Sequence, residues 1–310
     1  MRIYVTGASG LLGATAVHTL RERHDVGGSY KSHPMAVPGA ELRTVDLADF
    51  PTLFEELEAF KPEVVIHCAA ETRVDYCENH ADEALRANVT CTENVASACR
   101  ELGSLLVHIS TDGIFDGSSA PYREDDPPNP LNVYAHTKAL SERVVRDRCT
   151  EHLIVRTNMF GWNMHRRKSL AEWILQQLNE GQEFPAFADV HFNPLLTNDL
   201  VDIVEKMIQT KLRGTYHAGA SDSCTKYAFA QQLARSFGCV FTGRESRLLD
   251  AGLPARRPLN TTTITSRLTD ALQRSLPTIS EGISRFRDLE LLGFPDMLRS
   301  CAMGEEIACQ

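Results

Sequence analysis

The sequence predicts an α/β fold in which a parallel sheet is covered by helices on both faces. Three observations support it: short apolar segments alternate with helical segments, several apolar segments are rich in β-branched residues, and a glycine-rich turn follows the first of them. Strict alternation of strands and helices predicts right-handed βαβ crossovers. The expected architecture is therefore a Rossmann-type, doubly wound parallel sheet with a smaller C-terminal lobe.

The expected elements follow the chain in order. Arg2-Ile3-Tyr4-Val5 predicts the first strand, and the glycine-rich turn after it predicts a helix at residues 11–23. The segment from Glu63 to Ala69 has the composition of a strand buried on both faces. The other predicted strands lie at residues 26–30, 41–45, 105–110 and 153–156, and the other helices at 50–60, 81–102 and 133–148.

After Gly161 this alternation ends, and helical patterns at residues 169–177, 199–210 and 226–237 are separated by loops. We assign residues 1–160 to the first domain and expect residues 191–217 to return to it, because the segment from Gly214 to His217 is strand-like. Residues 161–190 and 218–310 are assigned to a substrate-binding lobe. This lobe is expected over the carboxyl ends of the strands, where open α/β sheets bind ligands.

Composition places the chain among ordinary globular proteins, with 310 residues, 43% of them hydrophobic and 24% charged. The net charge of −9 argues against a nucleic acid or an anionic membrane as the main partner. The nine cysteines show no paired C-x-x-C spacing, so we expect reduced thiols and no metal site. No apolar run approaches the length of a membrane span, and a cytoplasmic location is expected.

The first strand leads directly into Thr6-Gly7-Ala8-Ser9-Gly10-Leu11-Leu12-Gly13. Gly7 would permit the tight turn, Gly10 would let a pyrophosphate approach the backbone, and Gly13 would let the helix pack closely on the strand. Free N–H groups at a helix N-terminus attract an anion. The motif predicts a dinucleotide-binding site formed by Gly7, Ser9, Gly10, Leu11, Leu12 and Gly13.

The second predicted strand ends in Gly28-Ser29-Tyr30-Lys31-Ser32-His33, which lacks the acidic residue that NAD-selective proteins place there. Lys31 and the neighbouring hydroxyl groups, including that of Tyr30, could receive a 2′-phosphate instead. NADP is therefore favoured as the cofactor, and NAD is the alternative. A solvated Lys31 without a ligand is the other interpretation.

Tyr134 and Lys138 lie one turn apart in the predicted helix at residues 133–148. A tyrosine that transfers a proton near neutral pH needs its ordinary pKa of about 10 lowered, and a nearby ammonium does this. Thr111, at the end of the preceding strand, supplies a hydroxyl for a carbonyl oxygen. These three residues are the predicted catalytic group, with hydride delivered by a nicotinamide. A surface tyrosine beside a cation is the alternative.

The glycine spacing and the Tyr134–Lys138 pair together resemble the extended short-chain dehydrogenase/reductase superfamily, which begins Thr-Gly-x-x-Gly-x-x-Gly. The resemblance implies an adenine contact at Asp46-Leu47, a small-residue turn beside the cofactor at Ala69-Ala70, and Asn88 as a support for the catalytic lysine. It further implies cofactor contacts at Cys68, Thr72, Ser110, Tyr134 and Lys138.

Three further motifs resemble dTDP-4-dehydrorhamnose reductases: residues 109–117, residues 69–75, and Arg257-Pro258-Leu259-Asn260. Gly113 departs from that family's Ser-Thr-Asp-Tyr signature by replacing the tyrosine. The resemblance implies reduction of a 4-keto nucleotide-sugar and allows a homodimer. It places substrate contacts at Thr111, Asp112, Asn158, Asn193 and Arg257.

Several alternatives stay open. The Ala-Ala-Glu turn and residues 214–227 also resemble the regulatory β subunit of methionine adenosyltransferase, a binding subunit. Asn158 resembles the diphosphate-binding asparagine of nucleotide-sugar epimerases, which hold NAD tightly. Arg257 could instead form a salt bridge in the second lobe, and Asn193-Pro194 a structural turn.

Overall fold

A computed structural model describes residues 1–165 and 168–303, and the end of the predicted second lobe, residues 304–310, lies outside the described residues. The strands are β1 (Arg2–Thr6), β2 (Asp25–Tyr30), β3 (Ala40–Thr44), β4 (Val64–His67), β5 (Leu105–Thr111), β6 (His152–Thr157), β7 (Met159–Phe160), β8 (Phe184–Phe187), β9 (His191–Phe192), β10 (Leu195–Leu196), β11 (Gly214–Ala218), β12 (Cys224–Thr225) and β13 (Gly243–Ser246).

The α-helices are α1 (Leu11–Leu20), α2 (Phe50–Phe60), α3 (Val74–Asn79), α4 (Ala81–Leu85), α5 (Cys91–Leu102), α6 (Val133–Arg148), α7 (Leu170–Asn179), α8 (Thr197–Gln209), α9 (Lys226–Phe237), α10 (Ser266–Leu272), α11 (Ile279–Leu291) and α12 (Phe294–Ser300). A π-helical turn at Arg86–Thr90 joins α4 to α5, and short 3₁₀ turns occupy Asp112–Ile114 and Leu248–Ala251.

Seven strands form one parallel sheet in the order β11-β6-β5-β4-β1-β2-β3. The strand order reverses between β1 and β4, so the loops after these strands leave a crevice at their carboxyl ends. The predicted Rossmann-type fold is confirmed. The strand-like segment near residue 214 is β11, which pairs with β6 at the edge of this sheet.

Two apolar cores lie on the two faces of the sheet, because successive side chains of a strand point to opposite faces. Ile3 and Val5 of β1 belong to the larger core, which extends to helices α1, α8 and α11. Tyr4 belongs to the smaller core, which includes residues of α2 and α5. Both faces of β1 are therefore dry, as expected for a central parallel strand.

The C-terminal part of the chain adds small sheets to this frame. Strand β10 pairs with β7, β12 pairs with β9, and β13 pairs with β8. Isolated bridges join Tyr122 to Thr263 and His191 to Asn260. These links bring the segments around residues 191 and 260 close to the loop after β5, at the carboxyl end of the main sheet.

The predicted helix at residues 81–102 is not a uniform α-helix, since the π turn interrupts it. The short helix α3 was not predicted. Within the described residues no helix is long and apolar enough to span a membrane.

Candidate active site

The turn between β1 and α1 is shaped by two glycines. Gly7 has a φ of +67°, a conformation that side chains with a Cβ rarely adopt. A Cβ on Gly13 would lie 2.1 Å from the Gly7 carbonyl oxygen. Both positions therefore require glycine, and the helix packs against the turn as the motif predicted.

The N-terminus of α1 is free to bind an anion. Gly10 caps the helix without a side-chain hydrogen bond, and its first turn contains no acidic residue. The backbone N–H groups of Leu11, Leu12 and Gly13 lie in that first turn, where an α-helix has no acceptors of its own. The Leu12 side chain is buried, so Leu12 can serve a ligand only through its backbone.

A cavity of about 610 Å³ opens in front of this turn. Its volume suits a dinucleotide-sized ligand. Of the predicted cofactor residues, Gly7, Ser9 and Gly10 line its phosphate end. The other predicted residues in its wall are Tyr30, Lys31, Asp46, Leu47, Cys68, Ala69 and Ala70.

Three of the predicted cofactor residues have other positions. Thr72 is exposed and does not line the cavity. Ser110 is buried and donates its hydroxyl to the Glu142 carboxylate at 2.7 Å. Asn88 is fully buried in the π turn, where its amide binds both backbone groups of Glu71 and the Thr137 hydroxyl. Asn88 thereby fixes the cavity wall to helix α6.

Helix α6 presents the predicted proton donor. Its N-cap residue, Asn132, accepts a hydrogen bond from the Ala135 N–H at 2.9 Å. Burial raises the pKa of Tyr134 above its ordinary value, and a hydrogen bond with the Thr111 side chain opposes this rise. The structure therefore brings Thr111 and Tyr134 together, but it does not show the expected lowering of the Tyr134 pKa by Lys138, because burial raises that pKa. The phenol stays protonated at neutral pH, which is the state an acid catalyst needs.

Thr111 is the last residue of β5, and its hydroxyl is held by the turn that follows the strand. It accepts a hydrogen bond from the Gly113 N–H at 3.0 Å and donates to the Asp112 carboxylate at 3.2 Å. Asp112 is buried, and burial raises its pKa. The Thr261 hydroxyl at 2.6 Å and the Asn158 amide at 3.2 Å also donate to this carboxylate.

Lys138 lies one turn after Tyr134 and is buried near Cys68. Its ammonium donates to the Ile109 carbonyl oxygen at 2.8 Å and lies 3.3 Å from His108 Nε2. Burial lowers the pKa of Lys138 to about 8, and the opposing charge of Glu142 limits the shift. A lysine with this pKa can both stabilise a phenolate and exchange a proton near neutral pH.

An unpredicted ion pair anchors α6 to the sheet. Arg156 of β6 binds the Glu142 carboxylate through two hydrogen bonds of 2.9 and 2.8 Å, and both side chains are buried. Burial alone would raise the pKa of Glu142, but these bonds hold it below its ordinary value. The pair fixes the helix that carries Tyr134 and Lys138.

Asn193 and Arg257, predicted to contact substrate, are bound to protein groups in this structure. The Asn193 side chain is buried and binds backbone groups of Thr263 and Ala220, in keeping with a structural turn. Arg257 forms a bidentate pair with Asp75 at 2.9 and 2.6 Å. Asp75 belongs to α3, so this salt bridge joins α3 to the segment around residue 257 and does not lie within residues 218–310 alone.

Lys226, the first residue of α9, was not among the predicted site residues. Burial lowers its pKa, the nearby Arg257 lowers it further, and Asp112 raises it. No hydrogen-bond partner of its ammonium occurs among the described residues. A lysine of this kind, close to Asp112 and thus to Thr111, is suited to an anionic ligand. Its signal in the sequence was only its place beside Tyr227 at a helix start.

No cluster of side chains suited to a metal ion occurs in the part of the chain that the structure describes. All eight cysteines described there are free thiols.

Comparison with known families gives one match over most of the chain. A family model described as the RmlD substrate binding domain matches residues 1–290. Among solved structures, a dTDP-4-dehydrorhamnose reductase from Bacillus anthracis in complex with NADP superposes with a TM-score of 0.84 at 28% identity, covering 93% of this chain and 98% of that one.

Two curated relatives represent different kinds of protein. A probable low-salt glycan biosynthesis reductase, Agl14, from Haloferax volcanii is 31% identical over 92% of this chain and 96% of its own length. The β subunit of methionine adenosyltransferase 2 from Bos taurus is 30% identical over 86% of this chain and 81% of its own length.

Proposed function

The chain belongs to the RmlD substrate-binding-domain family, and we propose that it reduces the 4-keto group of a nucleotide-linked deoxysugar with NADPH. Two solved structures with close likeness are dTDP-4-dehydrorhamnose reductases, one of them in complex with NADP, and this chain is an oxidoreductase of the extended short-chain type. NADP is the favoured cofactor, with NAD bound by more distant structural neighbours.

The observation that carries the proposal is the contact between the Thr111 and Tyr134 side chains. Lys138 is buried one helical turn after Tyr134, near Cys68 in the cavity wall. The cavity fits a dinucleotide, because the glycine turn leaves no room for a Cβ and the α1 N-terminus offers free N–H groups. When bound there, the nicotinamide supplies hydride. Backbone groups from Gly10 to Gly13 would hold its pyrophosphate.

The protein's own residues would then carry out the proton transfer. Tyr134, kept protonated by burial, gives its phenolic proton to the keto oxygen. Thr111 turns its hydroxyl from Asp112 towards the same oxygen and orients it. The Lys138 ammonium stabilises the phenolate that remains and returns a proton to it.

A reductase assay with matched variants tests this proposal. Purified protein is mixed with NADPH and dTDP-4-dehydrorhamnose, and absorbance at 340 nm is followed. We expect turnover by the wild type and a loss of roughly 10²–10⁴-fold in kcat for Tyr134→Phe. Tyr216→Phe, a change on the edge strand β11, should keep full activity. Equal rates for wild type and Tyr134→Phe would refute the role of Tyr134.

A second function is favoured by the likeness to the methionine adenosyltransferase β subunit. In that case the chain would bind NADP and a synthetase while turning over no keto-sugar. The two functions are separated by testing the same protein for turnover with a panel of keto-sugar nucleotides and for co-purification with a methionine adenosyltransferase. Intact Thr111, Tyr134 and Lys138 support catalysis, since a binding subunit needs no proton donor.

A further inference from the structure

Two cationic side chains lie close to one carboxylate in the wall of the cofactor cavity. The Lys31 ammonium, at the loop after β2, donates to Asp46 Oδ2 at 2.9 Å. The Arg86 guanidinium, from the π turn, lies 3.8 Å from the same oxygen. Asp46 Oδ1 accepts a hydrogen bond from the Ala48 N–H, so the carboxylate is already shared among three donors. One negative charge does not balance two positive ones.

All three side chains line the same cavity, together with the Ser32 residue that follows Lys31. Lys31 and Arg86 are about two-thirds exposed, at 66% and 67%, so both can turn towards a ligand. Glu83, which precedes Arg86 by three residues and also lines the cavity, accepts a hydrogen bond from the Tyr76 hydroxyl at 2.7 Å. Among the described residues, the only carboxylate recorded within 4 Å of the Arg86 guanidinium is that of Asp46, which Lys31 already binds more closely.

The backbone that carries Arg86 is held firmly. It begins the π turn, and Asn88, two residues on, is fixed by hydrogen bonds to both backbone groups of Glu71 and to Thr137. π turns occur frequently at functional sites because they shift the direction of the following side chains. Here the turn places Arg86 and Ala87 in the cavity wall and Asn88 in the interior.

We propose that Arg86 and Lys31 together bind the 2′-phosphate of NADPH, and that Arg86 is a determinant of NADPH over NADH. The inference rests on the proposed function only in taking NADP as the cofactor. A guanidinium binds a phosphate through two parallel hydrogen bonds, and a phosphate dianion competes well with a carboxylate 3.8 Å away. On phosphate binding, Asp46 keeps its bond to Ala48.

The test compares binding of NADPH and NADH to purified full-length protein by isothermal titration calorimetry. For Arg86→Gln we expect the Kd for NADPH to rise about tenfold or more, because a charge-assisted hydrogen bond is lost, while the Kd for NADH stays within about twofold. Lys31→Gln should act in the same direction. The control is Arg100→Gln, which removes an exposed α5 arginine paired with Glu101 outside the cavity and should change neither Kd.

The salt dependence of NADPH binding is a second measurement that tests the proposal. Raising the salt concentration should weaken NADPH binding less in Arg86→Gln than in the wild type, since one charge contact is missing. Equal weakening of NADPH and NADH would assign Arg86 to the adenine ring and overturn the inference, as would an unchanged Kd for NADPH. A wild type that binds neither nucleotide would refute the proposed cofactor as well, whereas tight NADPH binding by every variant refutes only the role of Arg86.

Discussion

At the scale of single residues, the buried ammonium of Lys138 is needed for the proposed catalysis but lowers the stability of the fold. Burial lowers its pKa from the ordinary value of 10.5 to about 8, so below pH 8 the fold has to hold a charge that burial disfavours. Between pH 8 and 10.5 the unfolded chain binds the additional proton, and stability rises with pH through this window. The cost of the ammonium is fully present at neutral pH.

We therefore predict that Lys138→Met stabilises the protein at pH 7 by on the order of 1–2 kcal/mol, after allowing for the lost bond to the Ile109 carbonyl, and abolishes reduction. Urea unfolding at pH 7 and pH 10 measures this, and the advantage of the variant should shrink at pH 10. A variant less stable than the wild type at pH 7 would contradict the account.

A second prediction at this scale concerns Lys226. If its ammonium holds an anionic group of the substrate, Lys226→Met should raise the Kd for dTDP about tenfold, because one charge-assisted contact is lost. NADPH binding and thymidine binding should not change. Lys206→Met, on α8, is the control, and the measurement is calorimetric titration. An unchanged Kd for dTDP would mean that Lys226 has no such role.

At the scale of elements, helix α6 depends on the buried pair of Glu142 and Arg156. We predict that Arg156→Met costs about 3–5 kcal/mol of unfolding free energy, because it leaves the Glu142 carboxylate buried without its main partner. The double variant with Glu142→Leu should be clearly less destabilised than the single one. Urea unfolding of both singles and the double gives the coupling energy, and simple additivity would argue against a buried pair.

The sequence predicted some elements well because their signals are local. Helix α6 has the predicted bounds, since an asparagine N-cap and a regular pattern define it. The π turn could not be predicted, because Asn88 shapes it through the backbone of Glu71, a residue from another segment. For the same reason, the Glu142–Arg156 pair has no local signature: a buried ion pair depends on which strand lies beneath which helix.

At the scale of the whole molecule, parallel order followed from the alternation of strands and helices, and the glycine turn located the cofactor crevice. Contacts between segments far apart in the sequence could not be predicted. Arg257 binds Asp75 across 182 positions of sequence, and either partner alone looks like an ordinary surface charge. The proposed catalytic group could be predicted because its three residues lie on two elements that follow each other in the chain.

Buried neutral histidines should make the whole fold sensitive to acid. Burial lowers the pKa of His67 to about 3 and that of His217 to about 4, and it lowers the pKa of His108 well below the ordinary 6.5. Below pH 6.5 the unfolded chain takes up protons that the folded chain does not, so stability falls as the pH falls. At pH 5.5 each histidine lowers the unfolding free energy by roughly 1 kcal/mol, and the three together lower it by about 3 kcal/mol.

We predict that the unfolding free energy in urea is about 3 kcal/mol lower at pH 5.5 than at pH 7.5. Replacing one of the three by a neutral isostere, His217→Gln, should remove roughly a third of that difference. His136→Gln, a change on the exposed side of α6, should leave it intact and serves as the control. Equal stability at both pH values would mean that the buried imidazoles accept protons in the folded state, and that the surroundings of these histidines in β4, β5 and β11 are wetter than the structure indicates.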